Sequence, residues 1–232
     1  MPTSRSFQMQ LLAAGVSLAL WAIPGASMIL LPLEYLNTHI HELCHALAAL
    51  ATGGTPWYIH VYADGSGATP VTGGSGIALA TSGYVGAAVV GGIMLVLAHT
   101  QKGARASLWM AAGFLTISMV LWVRGDLVGI LSGIFWIALL GVMAKGLKGD
   151  GLLFAAQFLG IQQCLRSVQS LYVLLHINAT SNSHNDAEIA EQVTGIPSLL
   201  WALLWCAISV AWMVVAIRIP IGRGRATGRE ES

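Results

Sequence analysis

The chain has 232 residues, of which 56% are hydrophobic and only 9% charged, and its mean hydropathy is +0.72. Soluble domains carry about a quarter charged residues, so the composition excludes an ordinary water-exposed domain and makes lipid the expected solvent. A net charge of +1 leaves no basic face for nucleic acid.

Several apolar runs approach the roughly 20 residues that a helix needs to cross the hydrocarbon core. The expected fold class is therefore an all-α polytopic membrane protein, with about six to seven membrane segments in a single integral-membrane domain over residues 1–232. Basic residues cluster as Lys102 with Arg105, Lys145 with Lys148, and Arg218, Arg223, Arg225 and Arg229 in a basic tail over 218–232. Such clustering is the pattern of a positive-inside bias. Cys44, Cys164 and Cys206 are widely spaced in apolar segments and read as small buried hydrophobes.

The first apolar segment covers 8–32, with a kink expected at Pro24. Arg5 and the small residues Gly25-Ala26-Ser27 also fit a cleavable leader, but the apolar character runs on past them, which favours a membrane segment. A second segment, 33–51, ends at the helix stop Gly53-Gly54. Residues 55–75 then alternate aromatic or β-branched residues with small polar ones, and Asp64-Gly65 is a turn signal. They predict a β-hairpin beside the membrane helices. Non-helical backbone survives at that depth only where protein or a water-filled cavity satisfies it.

Further apolar segments follow at 76–98, 106–123, 127–144 and 151–175. Gly83, Gly86, Gly91 and Gly92 in the first of these allow close helix packing. In the last, Gln163, Arg166, Ser167 and Ser170 share a face, a stripe that favours a polar contact between helices over a direct catalytic role. The loop 176–196 is polar, lacks Lys and Arg, and holds His176, His184, Asp186, Glu188 and Glu191. Within it "AEIAEQVTG" reads as a short helix. A final span covers 197–217.

The chemistry concentrates in "HIHELCHALAALATGG", residues 39–54. His41-Glu42-Leu43-Cys44-His45 fills the pattern His-Glu-x-x-His. On a helix, positions i and i+4 share a face, so His41 and His45 can direct their imidazoles at one zinc ion. Glu42 lies beside that face and can serve as general base. Two histidines and an acid in an apolar helix are costly unless they are used. His39 points elsewhere on the helix, and His60 reads as a wall residue rather than a ligand. A catalytic zinc takes three protein ligands, and Asp186, Glu188, Glu191 and His184 all qualify as the third by chemistry. A non-catalytic membrane protein of the same fold that binds clients or metal is the rival reading. A zinc transporter is the weaker third, because a transporter needs ligands on more spans.

The stretch from His41 to Leu50 with Thr52-Gly53-Gly54 resembles intramembrane zinc proteases of the site-2 type, and more closely their M50B-like branch. The resemblance extends to "ADGSGATPVTGG" (63–74), "SGYVGAAVVGG" (82–92) and "NDAEIAEQVTGIPSLLWALLW" (185–205). It implies that His41, His45 and Asp186 bind zinc, that Glu42 activates water, and that the substrate is a transmembrane protein or peptide cut within or beside the lipid bilayer. Better-known members set the aspartate in an Asn-Pro-x-Asp-Gly context, where this chain has Asn185-Asp186-Ala187, so Glu191 is the reserve ligand. The resemblance also implies a substrate held as an added strand on the hairpin, with Tyr58, His60 and Tyr62 as the candidate substrate-binding residues. The expected location is a membrane, crossed several times.

Overall fold

The computed structural model describes residues 4–22, 27–176 and 185–227. Among these lie eight helices and four two-residue strands. Helices α1 (Ser4–Ala22) and α2 (Ser27–Ala51) precede strands β1 (Thr55–Pro56), β2 (His60–Val61), β3 (Gly67–Ala68) and β4 (Val71–Thr72). Helices α3 (Gly76–Leu97), α4 (Gln101–Leu121), α5 (Leu127–Gly146) and α6 (Gly149–His176) follow, then the short α7 (Asp186–Thr194) and α8 (Ser198–Thr227).

The largest departures from the expected boundaries are in α2 and α8. The motif helix begins at Ser27 rather than at residue 33, so the apolar run 8–32 is divided between α1 and α2. The expected kink at Pro24 lies outside the described residues. Pro32, in turn, is accommodated inside α2, and the Trp136 indole donates to its carbonyl at 2.6 Å. At the other end, α8 runs on to Thr227, through most of the stretch expected to be a basic tail.

Among the described residues, four helices are long and apolar enough to cross a membrane: α3, α4, α5 and the 198–219 part of α8. That supports a multi-pass membrane protein with fewer spans, by this measure, than the six to seven expected. Helices α1, α2 and α6 are of similar length but carry polar side chains inward. Gln157 of α6 donates to Ser6 and to the Ala98 carbonyl, and Gln163 donates to Asn37 at 2.7 Å. Arg166 pairs with Glu34 of α2, with Gln169 beside it at 3.3 Å. Two members of the stripe on α6, Gln163 and Arg166, thus make contacts between helices, as their spacing predicts. Without water, each such group needs a protein partner.

Helix α3 is the hub, touching α2, α6, α7 and α8, while α4 and α5 pair with each other on one side. The largest apolar core joins Leu36 and Ile40 of α2 to Met94, Leu108, Leu115, Trp136, Leu140 and Leu152. The three cysteines are free, with Cys164 buried and Cys44 and Cys206 half-buried.

The hairpin forms as predicted. Strand β1 pairs antiparallel with β4, and β2 with β3. The chain reverses where Tyr62 N–H donates to the Ser66 carbonyl at 2.8 Å. Gly65 takes a φ of 89° at that turn, a conformation open to glycine because it has no Cβ. The Ser66 hydroxyl and N–H both donate to Asp64 and hold its carboxyl below the ordinary carboxylate range. The ribbon lies lengthwise on α2. Tyr35 donates to the Ala63 carbonyl at 3.0 Å, Thr38 donates to the Gly65 carbonyl, and Ile59 and Val61 pack with Leu43, Ala46, Trp122 and Val123.

Candidate active site

Helical spacing places His41 and His45 as expected. Their Nε2 atoms lie 3.0 Å apart, and both residues are buried. Asp186 arrives from the far end of the chain, its Oδ2 3.0 Å from His41 Nε2 and 3.3 Å from His45 Nε2. Local sequence explains how it gets there. Asn185 caps α7, accepting from the Glu188 N–H at 3.0 Å, and Ala187 and Ala190 give α7 a small inner face that packs against Ala80, Ala202 and Trp205. The first residue of α7 is thereby held over the two imidazoles.

The imidazoles are oriented from outside. His45 Nδ1 lies 2.8 Å from the Leu79 carbonyl and 3.2 Å from Ser82 Oγ. A carbonyl oxygen can only accept, so Nδ1 carries the proton and Nε2 presents its lone pair inward. His41 meets Tyr84 edge to face, with ring centroids 4.6 Å apart. Gly83 of α3 lies directly under both rings, and a Cβ there would run into His41 Cε1 and Nε2 and approach His45 Nε2 to 2.6 Å.

Glu42 is buried beside this group, with a carboxylate oxygen within 4.8 Å of the histidine ligand atoms. Its Oε2 accepts from the Thr69 hydroxyl at 2.7 Å. Glu42, His45 and Asp186 open onto a cavity of about 370 Å³ walled by hairpin residues 67–71, the first turn of α3 and Ile189 of α7.

The remaining candidates fall elsewhere. His39 Nε2 lies 3.0 Å from Ser132 Oγ in a buried contact between α2 and α5. Glu191 is exposed, and its carboxylate accepts from the Ser198 N–H at 2.8 Å; these bonds to Ser198 hold it below the usual carboxylate range. Glu188 accepts from the Asn185 side chain at 3.3 Å. His184 lies outside the described residues. Tyr58, His60 and Tyr62 line the first half of the hairpin, the first pair of rings tilted and the second edge to face, where a Cβ on Gly125 would lie 3.6 Å from His60. The second strand, residues 67–71, faces the cavity instead. Sequence reasoning took Gly83 for helix packing and passed over Thr69 and Gly67. What could have drawn attention to the hairpin contacts is the spacing of Glu34, Thr38 and Glu42 at i, i+4 and i+8, which puts a polar stripe along α2.

The donor set fits a zinc ion. Ligand atoms bound tetrahedrally at 2.0–2.1 Å lie about 3.3 Å from one another, close to the 3.0–3.3 Å separations here. Asp186 Oδ2 is a buried oxygen with no hydrogen-bond donor, and it faces the Nε2 atoms of both imidazoles. Positive charge is what this point requires. The bare Cα of Gly83 leaves the room.

A family model described as Peptidase M50B-like matches residues 11–216. Neither the curated proteins nor the solved structures give a match. The matched span covers most of the chain and includes the paired histidines, Glu42, the hairpin and Asp186. The chain belongs to the Peptidase M50B-like family of membrane metalloproteases.

Proposed function

We infer that the protein is an intramembrane zinc endopeptidase, in which His41, His45 and Asp186 hold the metal and Glu42 is the general base. Its substrate is a transmembrane protein or peptide, cut within or beside the bilayer. The observation that carries this reading is the convergence of two imidazole nitrogens and one carboxylate oxygen, drawn from helices about 140 residues apart in the chain, within 3.0–3.3 Å beside a buried glutamate that opens onto a cavity.

When bound, zinc supplies a Lewis acid that polarises a peptide carbonyl and acidifies water. The chain's residues do the rest. Glu42 accepts the proton of the attacking water and returns it to the leaving amine. The Leu79 carbonyl fixes the His45 ring through Nδ1–H, leaving Nε2 for the metal. The walls contributed by Pro70, Val71, Leu79, Ala80 and Ile189 are apolar and suit a peptide drawn from lipid. Such a peptide must leave its helical form, because a helix engages the carbonyls that zinc has to reach.

Glu42→Gln tests this reading. The amide cannot take the proton, so cleavage of a transmembrane substrate by the purified, zinc-loaded protein should fall by about 10²–10⁴-fold, the scale of general-base catalysis. Zinc should stay near the wild-type content. Loss of zinc together with activity would make Glu42 a ligand or a structural residue.

A further inference from the structure

We propose that Thr69 is a positioning residue for the general base, its hydroxyl gripping Glu42 by Oε2 so that Oε1 is the oxygen left to take the proton. The proposal rests on the role given to Glu42 above.

A glutamate side chain has three rotatable bonds and loses rotamer freedom when fixed, and a base displaced by about 1 Å can cost 10²-fold in rate. Something must therefore hold it. The Thr69 hydroxyl lies 2.7 Å from Oε2 and 3.2 Å from the backbone carbonyl of the same residue, so one hydroxyl faces both the side chain and the main chain of Glu42. Threonine suits this task because its β-branch restricts χ1.

The neighbouring hairpin residue closes the seat from another side. A Cβ on Gly67 would come within 2.7 Å of Glu42 Oε1 and 2.8 Å of its Cγ, and within 2.5 Å of Thr38 Cγ2. The absence of a side chain at 67 thus leaves the space that the Glu42 carboxylate and the Thr38 methyl occupy. Below it, the bonds from Thr38 to the Gly65 carbonyl and from Tyr35 to Ala63 clamp the ribbon to α2. The segment that walls the cavity also carries the seat of the base, so a shift of residues 67–71 against α2 would move both together.

The test uses the full chain in detergent, with Thr69→Val preserving shape and Thr69→Ser preserving the hydroxyl. With a transmembrane substrate, Thr69→Val should lower kcat by about 10–100-fold while KM stays within about twofold and zinc content is unchanged. Thr69→Ser should restore kcat to within about threefold of wild type. A normal kcat in Thr69→Val, an equal loss in both variants, or a loss that tracks zinc would overturn the proposal. A second readout needs no activity. In infrared difference spectra of the metal-free chain, Thr69→Val should shift a carboxylate stretch, and that shift should vanish in a Glu42→Gln background. Absence of the shift overturns the contact whatever the kinetics. If the shift is present while wild-type protein cleaves nothing, the protease reading fails and the Thr69 contact stands.

Discussion

Helices α2 and α5 are neighbours in one bundle and live under opposite rules. Along α5, Leu127, Leu131, Ile134 and Val142 are 56–71% exposed, an apolar outer face of the kind that lipid covers. In α2 every residue from Leu36 to Leu43 is buried, and among them are Asn37, Thr38, His39, His41 and Glu42. Hydropathy finds α5 at once and does not count α2 among the spans. The difference teaches that polar chemistry sits inside a membrane protein where other helices surround it, and that the apolar helices are its insulation. A helix that hydropathy does not count as a span carries the candidate site.

The largest effect expected from breaking this centre is on metal. Asp186→Ala should weaken zinc binding by about 100-fold or more, beyond the 10–100-fold typical of an outer contact, as read by competition with a chelating dye. Glu191→Ala should leave it unchanged. Equal losses in both variants would dissolve the distinction between a ligand and an exposed capping acid.

Gly83→Ala comes next. Its methyl group must displace one or both imidazoles, so zinc affinity should fall by about 10–100-fold although alanine is the better helix former. Unchanged zinc affinity in the same assay would mean that α3 does not set the floor of the site.

Arg166→Ala should destabilise the folded chain by about 2 kcal/mol. Breaking a buried pair costs more, but both side chains here are 22% exposed, and solvent screens part of the interaction. Thermal unfolding in detergent measures the loss, and Glu34→Gln combined with Arg166→Gln should recover much of it. The smallest effect belongs to α5, where Leu131→Ala on the exposed face should change stability by less than about 0.5 kcal/mol. A large loss there would mean that this face packs against protein rather than lipid.

These expectations follow the division between what was legible in the sequence and what was not. His41, Glu42 and His45 are readable because their relation is local, a fixed angle on one helix. The hairpin is readable from its alternation and from Asp64-Gly65, and α7 from the stretch "AEIAEQVTG", whereas its Asn185 cap emerges in the structure. Asp186 needed a family resemblance, since no spacing rule connects it to residues so far back in the chain. The partnership of Arg166 with Glu34 was hidden for the same reason, although the stripe that carries Arg166 was visible. Thr69, Gly67 and Gly83 were obscured differently. A threonine in a turn-rich ribbon and a glycine in a membrane helix each have an ordinary explanation, and only their position against Glu42 and the imidazoles gives them another. The count of six to seven spans is not confirmed: four described helices qualify by length and hydropathy, a measure that polar side chains facing inward lower as much as side chains that face water.

The central claim is that two histidines and a distant aspartate share one ion while Glu42 stands beside it. Anomalous diffraction at the zinc edge, from crystals of the zinc-loaded protein, tests it most directly. The account predicts one peak within about 2.0–2.2 Å of His41 Nε2, His45 Nε2 and an Asp186 oxygen, with the Glu42 carboxylate outside bonding distance. A peak bonded to Glu42, with Asp186 remote, would contradict it.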